Sequence, residues 1–178
     1  MMSAANEYGR ALFLITEEDG VSDKVLSDVK TIERIFKNNP EYIKLLCSPA
    51  VPKEERVGLA DKALSTVDWR LLNLIKILIE NRQVHIFDKV AESYSNLYDQ
   101  ARGIVRVEAV SAIPLTDKQS QALASKLSAE LTKTVIIKNT VDPSILGGMK
   151  LRYSGIQLDG SVKTRLDKFE DALKQTVI

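Results

Sequence analysis

The hydrophobic period of this chain changes once, at Gly103, and that change limits it to two differently built parts. Before it, apolar residues recur every three or four positions, the spacing of an amphipathic helix. After it, Val105, Val107 and Ala109 alternate with Arg106 and Glu108, the spacing of a half-buried strand. A helix-period pattern does not settle as a strand, nor the reverse. The boundary is therefore expected near Ala101–Ile104, giving domains over residues 1–103 and 104–178.

The first part reads as six helices joined by short loops. Ala5, Tyr8, Leu12 and Ile15 mark the first, which Asp19-Gly20 ends. Val25, Val29, Ile32 and Ile35 or Phe36 mark the second. Asn39-Pro40 reads as an N-cap with a first-turn proline, opening a short third helix through Leu46. Pro52 with Glu54 and Glu55 opens a fourth, with Val57, Ala60 and Leu64 on its apolar face. From Trp69 to Ile79 eight of eleven residues are apolar, and the exceptions Arg70, Asn73 and Lys76 form one narrow stripe. So narrow a stripe predicts a fifth helix covered over most of its circumference. The sixth carries Phe87, Val90, Tyr94, Leu97 or Tyr98, and Ala101 on one face.

The second part begins with the alternating strand, which Pro114 stops. Thr116 and Gln119 form a capping box for a helix along Leu123, Leu127 and Leu131. Val135–Ile137 predicts a second strand, and Met149, Leu151 and Tyr153 a third. Ser154-Gly155 turns the chain into a brief strand, Ile156–Leu158. Asp159-Gly160-Ser161 then makes a last turn, with Ser161 capping a helix through Leu166, Phe169 and Leu173. The fold class is mainly α: a six-helix N-terminal bundle followed by a small C-terminal α/β domain.

Charge and cysteine content exclude several classes. Twenty-five basic residues against 24 acidic ones leave no basic footprint for nucleic acid. The balance is −2 over residues 1–103 and +3 over 104–178, a mild asymmetry that suits an acidic protein partner for the second part. Cys47 is the only cysteine, so no internal disulfide forms and an intracellular compartment fits. No apolar run approaches the roughly 20 residues that span a bilayer. The N-terminus lacks the basic stretch and apolar core of a secretory signal, and Glu7, Glu17, Glu18 and Asp19 argue against a transit peptide. A mature, soluble, cytoplasmic chain is expected.

Residues equipped for chemistry are sparse. His85 is the only histidine and reads as a residue at a helix start. No zinc spacing and no G-x-S-x-G elbow occur. Gly147-Gly148-Met149-Lys150 lacks the spacing and the Lys-Ser/Thr sequel of a phosphate loop. Its paired glycines instead permit positive φ and close backbone approach at a strand entrance. Asp142, Asp159 and Ser161 each fit a turn or cap, where short polar side chains bond nearby backbone. Arg82 has two readings, a charge meeting the dipole at a helix C-terminus or a residue at a protein interface. The first and fifth helices are more apolar than peripheral helices need to be, Ala4, Ala11, Phe13 and Leu14 extending the cover of the first. They are either central core helices or neighbours that leave a groove for a partner's amphipathic helix.

In order and spacing, several motifs along the whole chain resemble the delta-subunit family of the F-type ATP synthase, related to the mitochondrial oligomycin-sensitivity-conferring protein. They are Tyr8-Gly9-Arg10-Ala11-Leu12-Phe13, Cys47-Ser48-Pro49-Ala50-Val51, Glu80-Asn81-Arg82 and Val110-Ser111-Ala112-Ile113-Pro114-Leu115-Thr116. The most specific are Asp142-Pro143-Ser144-Ile145-Leu146-Gly147-Gly148 and Asp159-Gly160-Ser161-Val162-Lys163-Thr164-Arg165-Leu166. Two positions depart from the family pattern: Gly9 stands where alanine is usual, and Gln83 where a basic residue is common.

The resemblance implies a non-catalytic stator subunit without a cofactor. Its N-terminal domain would grip the N-terminal helices of the alpha subunits of the catalytic head. Its C-terminal domain would hold the C-terminal end of the b subunit, so that rotation is coupled to ATP synthesis. It would meet the membrane only through the complex, at the cytoplasmic face of the bacterial plasma membrane. The head-binding residues it implies are Tyr8, Ala11 and Leu12 on the first helix and Asn73, Ile77 and Glu80 on the fifth. Gly147, Gly148, Asp159, Gly160 and Ser161 are expected to shape turns. Two other classes stay open: a small transferase or hydrolase built on the paired-glycine turn, lacking a convergent His/Cys/Asp set, and a helical adaptor unrelated to ATP synthase.

Overall fold

The computed structural model describes residues 4–145, 147–153 and 156–160. It is mainly helical with one four-stranded sheet. The chain divides into two compact units, Met1–Asp99 and Gln100–Ile178.

The first unit contains α1 (Ala4–Glu18), α2 (Ser22–Asn38), α3 (Pro40–Cys47), α4 (Lys53–Ala63) and α5 (Trp69–Glu80), then a 3-10 turn, Val84–Ile86, and α6 (Phe87–Ala101). Val25, Val29, Ile32 and Phe36 of α2 meet Leu71, Ile75 and Leu78 of α5 and Phe87, Val90 and Tyr94 of α6 in one buried cluster. Phe36 and Phe87 pack edge to face, with centroids 5.2 Å apart, a favoured aromatic geometry. The Tyr94 hydroxyl, buried among these helices, donates to the Ser22 carbonyl at 3.2 Å and lies 2.8 Å from Thr16 Oγ1. That satisfies a buried polar group and joins α1, α2 and α6.

Several local expectations give way to packing. Phe13 is buried, whereas Ile15, expected on the core stripe of α1, is 48% exposed. The α5 helix is covered over most of its circumference, as expected, but its exposed stripe is Trp69, Asn73, Ile77 and Glu80 and not the polar one; Trp69 is 60% exposed and Ile77 44%. Asn39 makes no side-chain bond to α3; its Nδ2 donates back to the Ile35 carbonyl at 2.8 Å, closing α2. On α4, Val57 is half-buried, and the side chains at the interior are Ala60 and Arg56. Arg56 Nη1 donates to Leu46 O at 2.9 Å and to Ile79 O at 2.8 Å, at the ends of α3 and α5, where helix carbonyls run out of intrahelical donors; Ile79 O also accepts from Arg82 N at 3.1 Å. Arg82 follows α5 at φ +57°, and the Gln83 N–H reaches back to Leu78 O at 2.7 Å, closing the helix through a left-handed residue.

The second unit runs β1 (Ile104–Ser111), α7 (Asp117–Leu131), β2 (Thr134–Val141), β3 (Met149–Tyr153) and β4 (Ile156–Asp159), with sheet order β2-β1-β3-β4. β1 and β2 are parallel, Val105 opposite Val135 and Val107 opposite Ile137, so the connection must cross over, as α7 does. β1 pairs antiparallel with β3, and β3 with β4. The α7 capping box is complete: Gln119 N donates to Thr116 Oγ1, and Thr116 N donates to Gln119 Oε1 at 2.9 Å. Asn139 Nδ2 donates to Ala109 O and Ser111 Oγ, both at 2.8 Å, while its Oδ1 accepts from Leu115 N. Those bonds tie the β1–α7 connection to β2, which is longer than the three apolar residues that predict it.

Of the expected turn residues, Gly148 has φ +80°, a backbone suited to glycine. Gly160 N donates to Met149 O at 3.0 Å, and a Cβ there would lie 3.2 Å from that oxygen. Asp159 is a strand residue whose carboxylate pairs with Lys150 across β3 and β4 at 3.3 Å, not a turn residue. Ser161 and the helix expected after it lie outside the described residues, as does the Ser154-Gly155 turn.

Candidate functional site

An apolar groove of about 360 Å³ opens between α1 and α5. One wall is Tyr8, Ala11, Leu12 and Ile15, which follow one another at steps of three, one and three, along a single helical stripe. The other is Trp69, Arg70, Asn73, Leu74 and Ile77, again one stripe. Leu12 and Leu74 form its floor and are nearly buried, whereas Ile15, Trp69 and Ile77 stand at its rim, each more than two-fifths exposed. Leu14, 55% exposed, is a further exposed apolar residue of α1 outside that lining. Scattered exposed apolar side chains are ordinary on a protein surface. A continuous run along two adjacent helices is less ordinary, and larger exposed patches are where partners commonly dock.

The walls are joined by charge at the Trp69 end. Arg70 Nε donates to Asp19 Oδ2 at 2.6 Å, and its Nη1 lies 3.2 Å from Asp68 Oδ1. The guanidinium also sits 4.6 Å from the centre of the Trp69 ring, a cation–π geometry. Asp68 caps α5, its Oδ1 accepting from Arg70 N at 3.0 Å, while its own N–H donates to Asp28 Oδ2 at 2.9 Å. Burial works to raise the Asp68 carboxyl, but hydrogen bonds from Arg70 and the charges of Arg70 and Lys24 outweigh it. The carboxyl is held below its ordinary value. At the other end of α5, Glu80 pairs with Lys53 at 2.9 Å.

Tyr8, Ala11, Leu12, Asn73 and Ile77, five of the six residues implied for partner binding, therefore line one groove. Glu80 does not; it stands one turn beyond Ile77, engaged with Lys53. Ile15, Trp69, Arg70 and Leu74 line the groove and are absent from that set. The sequence carries a signal for three of them: Ile15 continues the Ala11 stripe by four residues, Trp69 precedes Asn73 by four, and Arg70 precedes Asn73 by three. A second depression, on the sheet, is lined by Val107, Ile136 and Tyr153 together with Arg106, Glu108, Lys138 and Arg152. Among the described residues no group of His, Cys, Asp and Glu could hold a metal ion. No helix among them is long and apolar enough to cross a membrane.

Comparison with known proteins gives this groove its context. The profile of the ATP synthase delta (OSCP) subunit family matches residues 4–173. The chain belongs to that family. It is 33% identical over 175 residues to ATP synthase subunit delta of Clostridioides difficile, covering 97% of each chain. It is 31% identical over 170 residues to ATP synthase subunit delta of a Geobacillus species, covering 95% of this chain and 96% of the other. Its fold matches a chain in the mitochondrial ATP synthase hexamer of Toxoplasma gondii with a TM-score of 0.74, at 22% identity and over 97% of this chain and 98% of that one. Membership makes it a peripheral-stalk subunit of the F-type ATP synthase, a membrane-associated complex.

Proposed function

We propose that the α1–α5 groove receives an amphipathic helix from the N-terminal segment of the ATP synthase alpha subunits. The observation that carries this is the continuous apolar lining from Tyr8 to Ile15 and from Trp69 to Ile77, with a floor of Leu12 and Leu74. Such a groove suits an apolar helical face read at i, i+3, i+4 and i+7. On this reading the first unit acts as a six-helix bundle that caps the catalytic head. The second unit, a small α/β domain, holds the C-terminal end of the b subunit. The chain catalyses nothing itself and takes no cofactor. It stands at the cytoplasmic face of the bacterial plasma membrane, attached only through the complex, and keeps the head from turning with the rotor. Holding against torque calls for affinity of the complete stator assembly in the nanomolar class, about 12 kcal/mol, and not the micromolar class of about 8.

Trp69 is the single tryptophan and stands on the groove rim. Titration with a peptide taken from the N-terminal segment of the alpha chain should shift its emission to the blue and saturate. Ile77→Asp, which places a charge on the apolar wall, should abolish the shift. A fragment from the C-terminal end of the b chain should bind the same protein without moving Trp69 emission. Failure of both peptide and fragment to bind would sink the proposal.

A further inference from the structure

We propose that Gly9 and Asp19, neither of which lines the groove, are positioning residues that preset its shape by fixing where α1 sits. This rests on the groove being the binding site. Gly9 is buried against α6, and a Cβ on it would lie 2.7 Å from Ser93 Cβ, 2.8 Å from Ser93 Oγ and 2.9 Å from the Val90 carbonyl oxygen. The last of these is helix backbone and cannot rotate away, so α1 lies as close to α6 as a residue without a side chain permits. Tyr8, Ala11 and Leu12, beside Gly9 on the same rigid helix, take their height over α5 from that contact. Asp19 fixes the other end. It lies just past α1, and its carboxylate receives Arg70 Nε at 2.6 Å and Nη2 at 2.5 Å. Arg70 belongs to the opposite wall, so one charge-assisted fork ties the two walls together. A helix seated from behind and clasped at its end presents a groove that needs no rearrangement before a partner enters, which lowers the cost of binding.

The test uses the full chain at a temperature where circular dichroism shows every variant folded. With the N-terminal peptide of the alpha chain as ligand and Trp69 emission as readout, Gly9→Ala should weaken binding roughly tenfold and Asp19→Asn roughly threefold, the scale of about 1.4 and 0.7 kcal/mol. Asp19→Glu, which keeps the carboxylate, should restore most of the loss. Groove width is also read without any ligand, from paired spin labels at Arg10→Cys and Glu80→Cys in a Cys47→Ser background. Both variants should shift or broaden that distance distribution. Superimposable distributions in both overturn the inference, whether or not the peptide binds. Wild-type affinity in both, alongside a lowered melting temperature, also overturns it, because Gly9 and Asp19 would then serve stability alone. Absence of peptide binding by the wild type, with altered distributions in the variants, counts against the proposed function and not against the positioning role.

Discussion

At the scale of single residues, packing reverses what helix propensity alone prescribes. Glycine inside a helix costs up to about 1 kcal/mol relative to alanine, so propensity predicts that Gly9→Ala stabilises α1. The 2.9 Å approach to Val90 O predicts the opposite, an overpacking cost of about 1–3 kcal/mol, visible as a lower thermal midpoint. A raised midpoint would show that α1 can move away at no cost. Arg56 is the charged counterpart. It is 4% exposed and serves two helix ends, so Arg56→Met should cost about 1–3 kcal/mol in urea unfolding, Leu46 O losing its donor while Ile79 O keeps Arg82 N. A loss under about 0.5 kcal/mol would mean that water replaces the guanidinium. Tyr94 sets a pH limit. Burial is the main reason its hydroxyl is raised from 10.0 to about 12, against the lowering effect of its bond with Thr16. A folded value above the unfolded one means that the stability it contributes is complete below pH 10 and is lost as pH rises toward about 12. Stability measured by urea between those limits should fall less steeply in Tyr94→Phe than in the wild type.

At the scale of elements, legibility follows how local the cause is. The Thr116/Gln119 box can be read directly because both partners lie within one helical turn, and the structure forms it. Thr116→Ala should lower stability by about 1 kcal/mol, detectable in a thermal melt of the chain. No change would show that α7 is held by the sheet alone. Asn39 misleads because the same side chain can serve the helix before it or the helix after it, and the Ile35 carbonyl is nearer at hand. The α4 helix has few apolar residues, and its interior position goes to Arg56, whose targets on α3 and α5 are 10 and 23 residues away. Nothing in the local pattern marks a residue for that role. On α5 the exposed stripe includes Trp69 and Ile77 for a related reason: eight apolar residues in eleven are more than the covered face takes up.

At the scale of the whole molecule, the buried cluster of the first unit runs from Ala5 to Tyr94 and holds every helix that walls the groove. A fragment ending at Gly103 should therefore unfold cooperatively and keep peptide binding by Trp69 emission, while losing the ability to bind the b-chain fragment. Loss of cooperative unfolding in that fragment would show that the first unit depends on the second. The sequence by itself determined the order and kind of the described helices and strands and the change from helix to strand around Gly103, because periodicity, caps and turn residues act over a few neighbouring positions. It also carried enough ordered motifs to point to the family. Only tertiary structure decided which apolar side chains are covered. Phe13 went inside against Tyr94, while Ile15, Trp69 and Ile77 were left on the rim of a groove. Exposure is set by what other elements bring within reach, and adjacent residues of one helix can meet different neighbours.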